Sequence, residues 1–196
     1  IKTDAILLET KKDLINHKFK KGKKIFGLFN KEALIREAHE PSLKDMLDFA
    51  LVNSKLMLEQ GCKGFFIMAE GSQIDWEGHD NDFKGLYVEI EEFENAVTSA
   101  LAFAMNRQDT LVIVTADHET GGLLIEKDTL RYKETNQMKV SWNTAVGKGD
   151  HTGSMVPIFA YGPGSENFTG ILDNTDIFFA MQEAIGINDL PDGSCY

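Results

Sequence analysis

Apolar residues recur along this chain at two periods, and the switching between them predicts strands that alternate with helices. Across residues 4–16, Ala5, Leu7, Leu8 and Leu14 among Lys, Glu and Asp predict a short amphipathic helix. Gly22 and its lysines break that pattern, and Lys24-Ile-Phe-Gly-Leu-Phe29 predicts a short buried strand. Residues 30–40 are charged and weakly periodic, so they read as a loop or irregular helix with His39 at its surface. Ser42 followed by Asp45 is an acidic variant of the capping signature. Leu43, Met46, Leu47, Ala50, Leu51, Met57 and Leu58 then recur at helical spacing, predicting a core-packed helix that ends near Gly61.

The apolar run Gly64-Phe-Phe-Ile-Met-Ala69 predicts a buried strand. Beyond it, Asp80-Asn-Asp precedes a long helix whose apolar face runs through Leu86, Ile90, Phe93, Ala96, Val97, Ala100, Leu101 and Ala104 to about Asn106. Residues 110–115 lack polar alternation, which fits a parallel strand covered on both faces. Residues 123–142 alternate in short pieces, Leu123-Leu-Ile-Glu, Leu130-Arg-Tyr and Met138-Lys-Val-Ser-Trp142, and predict small antiparallel strands. A strand at 156–161 ends in the turn Gly162-Pro-Gly-Ser, Asn174-Thr-Asp opens a capped C-terminal helix, and the tail from Asn188 is expected to be loose. These elements predict an α/β fold: a single domain over 1–196 with a largely parallel sheet flanked by helices and a small antiparallel excursion near 123–142.

Composition narrows the function classes. At 196 residues, with 42% apolar and 26% charged, the chain can bury a sizeable core. A net charge of −11 argues against a nucleic-acid binder, because phosphate backbones are held by clustered Lys and Arg. The short basic cluster at 18–24 reads as a solvated loop. No apolar run approaches the roughly 20 residues that span a bilayer, and no charged-then-apolar leader opens the chain. Because it begins with Ile1 rather than Met, it reads as a processed product or a piece of something longer. Cys62 and Cys195 lack Cys-x-x-Cys spacing and say little about redox compartment; Cys62 is expected to be a core thiol.

The candidate chemistry lies just outside the strands. Glu70-Gly-Ser-Gln-Ile-Asp75-Trp-Glu-Gly-His79 follows the run at 64–69, and on a helix the four-residue spacing puts Asp75 and His79 on one face. Gly71 and Gly78 would let the backbone turn there. Ala116-Asp117-His118 follows the next strand, and Asp150-His151-Thr-Gly precedes the one after. Adjacent Asp117 and His118 would face opposite sides of a continuing strand, so both reach one ion only if the chain leaves the sheet, which Gly121-Gly122 permits. Three of the five histidines thus sit beside acids at strand ends, where loop-borne groups of an α/β sheet converge on one crevice.

Taken in order, Glu-Gly-Ser-Gln-Ile-Asp-x-x-x-His, Thr-Ala-Asp-His-Glu and His-Thr-Gly-x-x-Val-Pro resemble the C-terminal half of alkaline phosphatase, over about residues 25–186. Ile25-Phe-Gly-Leu-Phe29 and Pro41-Ser-Leu share in the likeness. The resemblance implies that Asp75, His79 and His151 hold one zinc, Asp117 and His118 a second, and Glu70 a magnesium. It places Trp76 beside the metal ligands, tuning the magnesium side or simply packing. It also implies phosphomonoester hydrolysis through a covalent phosphoserine intermediate, small phosphate monoesters as substrates, and a periplasmic or secreted location; a homodimer is expected because a truncated chain would lose neighbouring strands and expose a sheet edge. The metals answer a charge problem: near each of three carboxylates a phosphate at 4 Å meets roughly 4 kcal/mol of repulsion at an effective dielectric near 20, and three divalent ions reverse that field.

The family's nucleophile is a serine in an N-terminal half that has no counterpart in this chain, so no catalytic residue is assigned and the isolated chain is expected to be inactive without that half. Two alternatives stay open at this level. One is another enzyme of the same superfamily, a phosphodiesterase, sulfatase or phosphoglycerate mutase. The other is a non-catalytic metal-binding domain.

Overall fold

The computed structural model describes residues 5–127, 138–145 and 150–186. In chain order the elements are β1 (Ala5–Leu8), α1 (Lys11–Asn16), β2 (Lys24–Gly27), α2 (Leu43–Glu59), α3 (Gln73–His79), α4 (Phe83–Arg107), β3 (Val112–Val114), β4 (Glu119–Thr120), β5 (Leu123–Lys127), β6 (Met138–Trp142), β7 (His151–Thr152), β8 (Phe159–Tyr161), a 3-10 turn (Ser165–Phe168) and α5 (Asp176–Ile185). The architecture is α/β. β1 pairs with β2 in parallel, Ala5 opposite Lys24 and Leu8 opposite Gly27, and β3 pairs with β8. β4–β7 and β5–β6 are antiparallel. The β5–β6 hairpin is the expected excursion, with Leu123 opposite Trp142 and Lys127 opposite Met138. Leu130-Arg-Tyr132, Gly147, Gly149 and the tail from Asn188, Cys195 included, lie outside the described residues.

The chain divides into two units, Ile1–Glu70 with Glu92–Val112 and Ala160–Tyr196, and Gly71–Glu91 with Ile113–Phe159. In the first unit, the helix expected over 4–16 is instead β1 followed by α1. The cause is a capping box at Thr10: its Oγ1 accepts from the Asp13 N–H at 3.1 Å while the Asp13 carboxylate accepts from the Thr10 N–H at 2.9 Å. A helix starting there leaves Ala5–Leu8 free to pair as a strand, and Leu8 and Leu14 still meet, buried with Phe29 in one cluster. Gly27 has no room for a side chain, since a Cβ there would stand 2.6 Å from the Phe29 ring.

α2 begins at the Ser42 cap, where Asp45 completes the box. Its Leu47 and Leu51 bury against Ala96 of α4, with Leu43, Ile67, Ala100 and Phe103 around them. Residues 64–69 do not form the expected buried strand. Phe65 meets Phe103 edge-on and Ile67 packs on the α2–α4 cluster, but Phe66 and Met68 are 68% and 80% exposed. Cys62 is not a core thiol either; it is half-buried and disulfide-bonded. At α5 the Thr175 side chain makes no capping bond and donates instead to Asp173 Oδ1 at 2.8 Å; Asp176 accepts from the Asp173 N–H at 3.0 Å, and Asp173 from that of Thr175 at 3.0 Å.

The irregular segment at 30–40 is organised by one buried carboxylate. Glu40 accepts from Asn30 Nδ2 at 2.5 Å and from the N–H groups of Ile35 and Glu37, each at 2.9 Å. The Asn30 amide, joined by those N–H groups, outweighs burial and holds the Glu40 carboxyl below its ordinary value. With the folded pKa below the unfolded one, this stabilisation is fully present above the unfolded value and is lost as pH falls through the folded one. Glu40→Gln, which turns one accepting oxygen into an NH2, is expected to lower the Tm at neutral pH and to converge on the wild type in acid. An equal gap at both pH values would contradict it.

Candidate metal centre

The second unit brings three of the sequence motifs together. α3 carries Asp75 and His79 one turn apart, and their side chains meet, Oδ2 to Nε2, at 3.4 Å. Gly78, between them, is helical and buried rather than a turning point. A Cβ there would lie 3.0 Å from Cβ and Cγ2 of Thr120, so this glycine admits β4 against the helix. β7 then brings in His151: Thr120 stands opposite it in the antiparallel register, and the Asp150 carboxylate accepts its backbone N–H at 2.8 Å.

His151 Nε2 lies 3.3 Å from His79 Nε2 and 3.6 Å from Asp75 Oδ1. With the 3.4 Å between Asp75 Oδ2 and His79 Nε2, the two imidazole nitrogens and the Asp75 carboxylate enclose a three-cornered space, one carboxylate oxygen toward each histidine. Donors about 2.0–2.1 Å from a tetrahedral zinc stand roughly 3.4 Å apart, so these residues fit that ion in both type and spacing.

The chain does leave the sheet after β3, and His118 enters the centre from that loop. Its ring stacks on His151 with centroids 3.4 Å apart, and its Nε2 is 3.4 Å from Asp117 Oδ2. Donor atoms of His118, Asp75 and His151 all lie within 4.8 Å of one another, so His118 stands between the two ligand sets. Asp117 is the most open member, its side chain 89% exposed. Glu70 is exposed and belongs to the first unit. Trp76 projects from α3 with 49% of its surface exposed.

Two supporting residues were not singled out from the sequence. Thr120 donates its hydroxyl proton to Asp75 Oδ1 at 2.5 Å and stands 3.3 Å from His118 Nδ1. The signal for it was parity, since positions two apart on an extended chain share a face and Thr120 follows His118 by two. Glu119 accepts from the Thr152 hydroxyl and from the Leu123 N–H at 3.1 Å. Burial opposes its ionisation, but the Thr152 hydroxyl and neighbouring N–H groups outweigh this and hold its carboxyl below the usual value, which clasps β4 to β7.

Comparison with known proteins decides the family, since the alkaline phosphatase family model matches residues 2–139 and 124–187. The chain belongs to the alkaline phosphatase family. Alkaline phosphatase 4 of Bacillus subtilis is 36% identical over 220 residues, an overlap covering 80% of this chain and 47% of the relative. The solved structure of alkaline phosphatase from the Antarctic bacterium TAB5 matches 95% of this chain and 53% of its own, with 34% identity and a TM-score of 0.76. A variant of that enzyme, described with Mg bound in the M3 site, matches at 31% identity and a TM-score of 0.74, over 95% and 54% of the two chains. This family member thus spans about half the length of the curated relatives it matches. No helix among the described residues is long and apolar enough to cross a membrane.

Proposed function

We propose that this chain is the C-terminal part of an alkaline phosphatase catalytic domain, supplying most of the metal ligands for phosphomonoester hydrolysis while the serine nucleophile comes from an N-terminal half. The observation that carries this reading is the close approach of Asp75, His79 and His151: the two Nε2 atoms stand 3.3 Å apart, and the Asp75 carboxylate reaches His79 with Oδ2 at 3.4 Å and His151 with Oδ1 at 3.6 Å. These three would hold one zinc, and Asp117 with His118 a second. Glu70, an oxygen donor, suits magnesium, and the relative with bound Mg supports a third metal position. Bound there, divalent ions would supply positive charge for the phosphate and for the attacking and leaving oxygens.

The chain's own residues prepare the site. Thr120 and the Asp75 carboxylate are hydrogen-bonded to each other, Asp150 fixes the backbone of His151, and Glu119 holds β4 on β7, so the imidazoles are aimed before any ligand arrives. With two carboxylates beside three imidazoles, the centre attracts cations first and phosphate monoesters only once cations are in place. The disulfide at Cys62 supports a periplasmic or secreted location, because such bonds persist in oxidising compartments.

Metal analysis after zinc loading, followed by assays of a chromogenic phosphate monoester, tests this reading. The chain alone is expected to bind zinc without turnover, and the chain joined to an N-terminal half bearing the serine is expected to bind zinc and hydrolyse the ester. A chain that takes up no zinc, or one that hydrolyses the ester unaided at the rate of the joined protein, would overturn it.

A further inference from the structure

Thr120 touches all three motifs of the metal centre at once. Its backbone lies opposite His151 in the β4–β7 ladder, and its Cβ and methyl lie against Gly78, between Asp75 and His79. Its hydroxyl reaches the other two motifs, 2.5 Å from Asp75 Oδ1 and 3.3 Å from His118 Nδ1. A hydroxyl has one proton to give and two lone pairs to offer. An ionised Asp75 carboxylate only accepts, so the Thr120 proton is committed to it. Toward His118 the same oxygen can then only accept. For that contact to be a hydrogen bond, Nδ1 of His118 must carry a proton, and in the neutral imidazole this leaves the lone pair on Nε2, the atom 3.4 Å from Asp117 Oδ2.

We propose that Thr120 is a positioning residue that couples the two zinc positions through one hydroxyl. It orients Asp75 for the first and, in the same stroke, sets the tautomer of His118 for the second. The inference rests on the metal-centre reading above. It also explains why a β-branched residue with a hydroxyl occupies this point: the methyl fills the approach to Gly78, and the oxygen does the coupling. Val preserves the branched shape without the hydroxyl, whereas Ser preserves the hydroxyl without the methyl, so the two roles separate.

Zinc titration of the chain against a chromogenic chelator, with Thr120→Val and Thr120→Ser beside the wild type, tests the proposal. Thr120→Val is expected to lose about 10–100-fold in zinc affinity, the range for groups that support a ligand, while Thr120→Ser stays close to wild type. Long-range 1H–15N correlation spectra of the imidazoles should place the His118 proton on Nδ1 in the wild type and in Thr120→Ser, and on both nitrogens in Thr120→Val. Three results would overturn the coupling: Thr120→Val binding zinc as the wild type does, Thr120→Ser losing as much as Thr120→Val, or a wild-type His118 protonated on Nε2. If Thr120→Val does not fold, the wild-type tautomer and Thr120→Ser still decide. A wild-type chain that binds no zinc overturns the metal centre itself and this coupling with it.

Discussion

His151→Ala is expected to weaken zinc binding by about a hundredfold or more. His151 is one of three donors whose mutual distances match a tetrahedral zinc, and removing it leaves Asp75 and His79 with a single 3.4 Å edge between them. Structural zinc sites bind with about 10–16 kcal/mol, so each of three or four ligands carries roughly 3–4 kcal/mol, or two to three powers of ten in Kd. The second zinc position should weaken as well, because the His118 ring is stacked on His151 and loses that support. The fold should survive, since the His151 side chain is 43% exposed and belongs to the centre rather than a core. Competition with a zinc chelator measures the effect, with His39→Ala as a control: His39 is exposed and paired with Glu37. An affinity for His151→Ala within about threefold of wild type would remove this residue from the ligand set.

The candidate ligands stood out in the sequence because their chemistry is rare and their spacing carries geometry. Asp75 and His79, four apart, come within reach of each other only if the segment is helical, since on a strand they would stand about 13 Å apart, and α3 makes it so. Thr120 left almost no trace, since threonine is common in strands and only its parity with His118 marked it. Residues 64–69 mislead in a different way. Their unbroken apolar pattern describes a segment covered on both sides, and Phe65 and Ile67 are covered. Phe66 and Met68 face outward, and the run pairs with no strand among the described residues. A sequence records the surroundings of the whole fold, and this chain spans about half of its relatives. The opening segment erred over period: Leu7, Leu8 and Leu14 match a helical face, yet the box between Thr10 and Asp13 decides where the helix begins.

Gly121→Ala is expected to destabilise the chain by about 2–5 kcal/mol, and the reason lies in how the second unit is fastened behind its candidate ligands. Gly121 has φ +83°, where a side chain costs about 1–2 kcal/mol. A Cβ there would also stand 2.6 Å from the Gly78 carbonyl oxygen and 2.8 Å from Cε3 of Trp142, adding about 1–3 kcal/mol of overpacking. Gly121 also ties several segments together. Its N–H donates to the Asp150 carbonyl at 3.0 Å, and its carbonyl accepts the Thr144 hydroxyl at 2.9 Å. Asn81, just beyond α3, donates from Nδ2 to the Thr144 carbonyl at 2.8 Å. Urea unfolding measures the loss, and Gly22→Ala is the matched comparison: it has φ +74° with nothing within 4 Å of a Cβ, so it should lose only the backbone share. If the two variants unfold alike, the close packing around Gly121 contributes nothing. If Gly121→Ala is the weaker, its zinc affinity should fall too, because the displaced groups are the Gly78 carbonyl beside His79 and the Asp150 carbonyl beside His151.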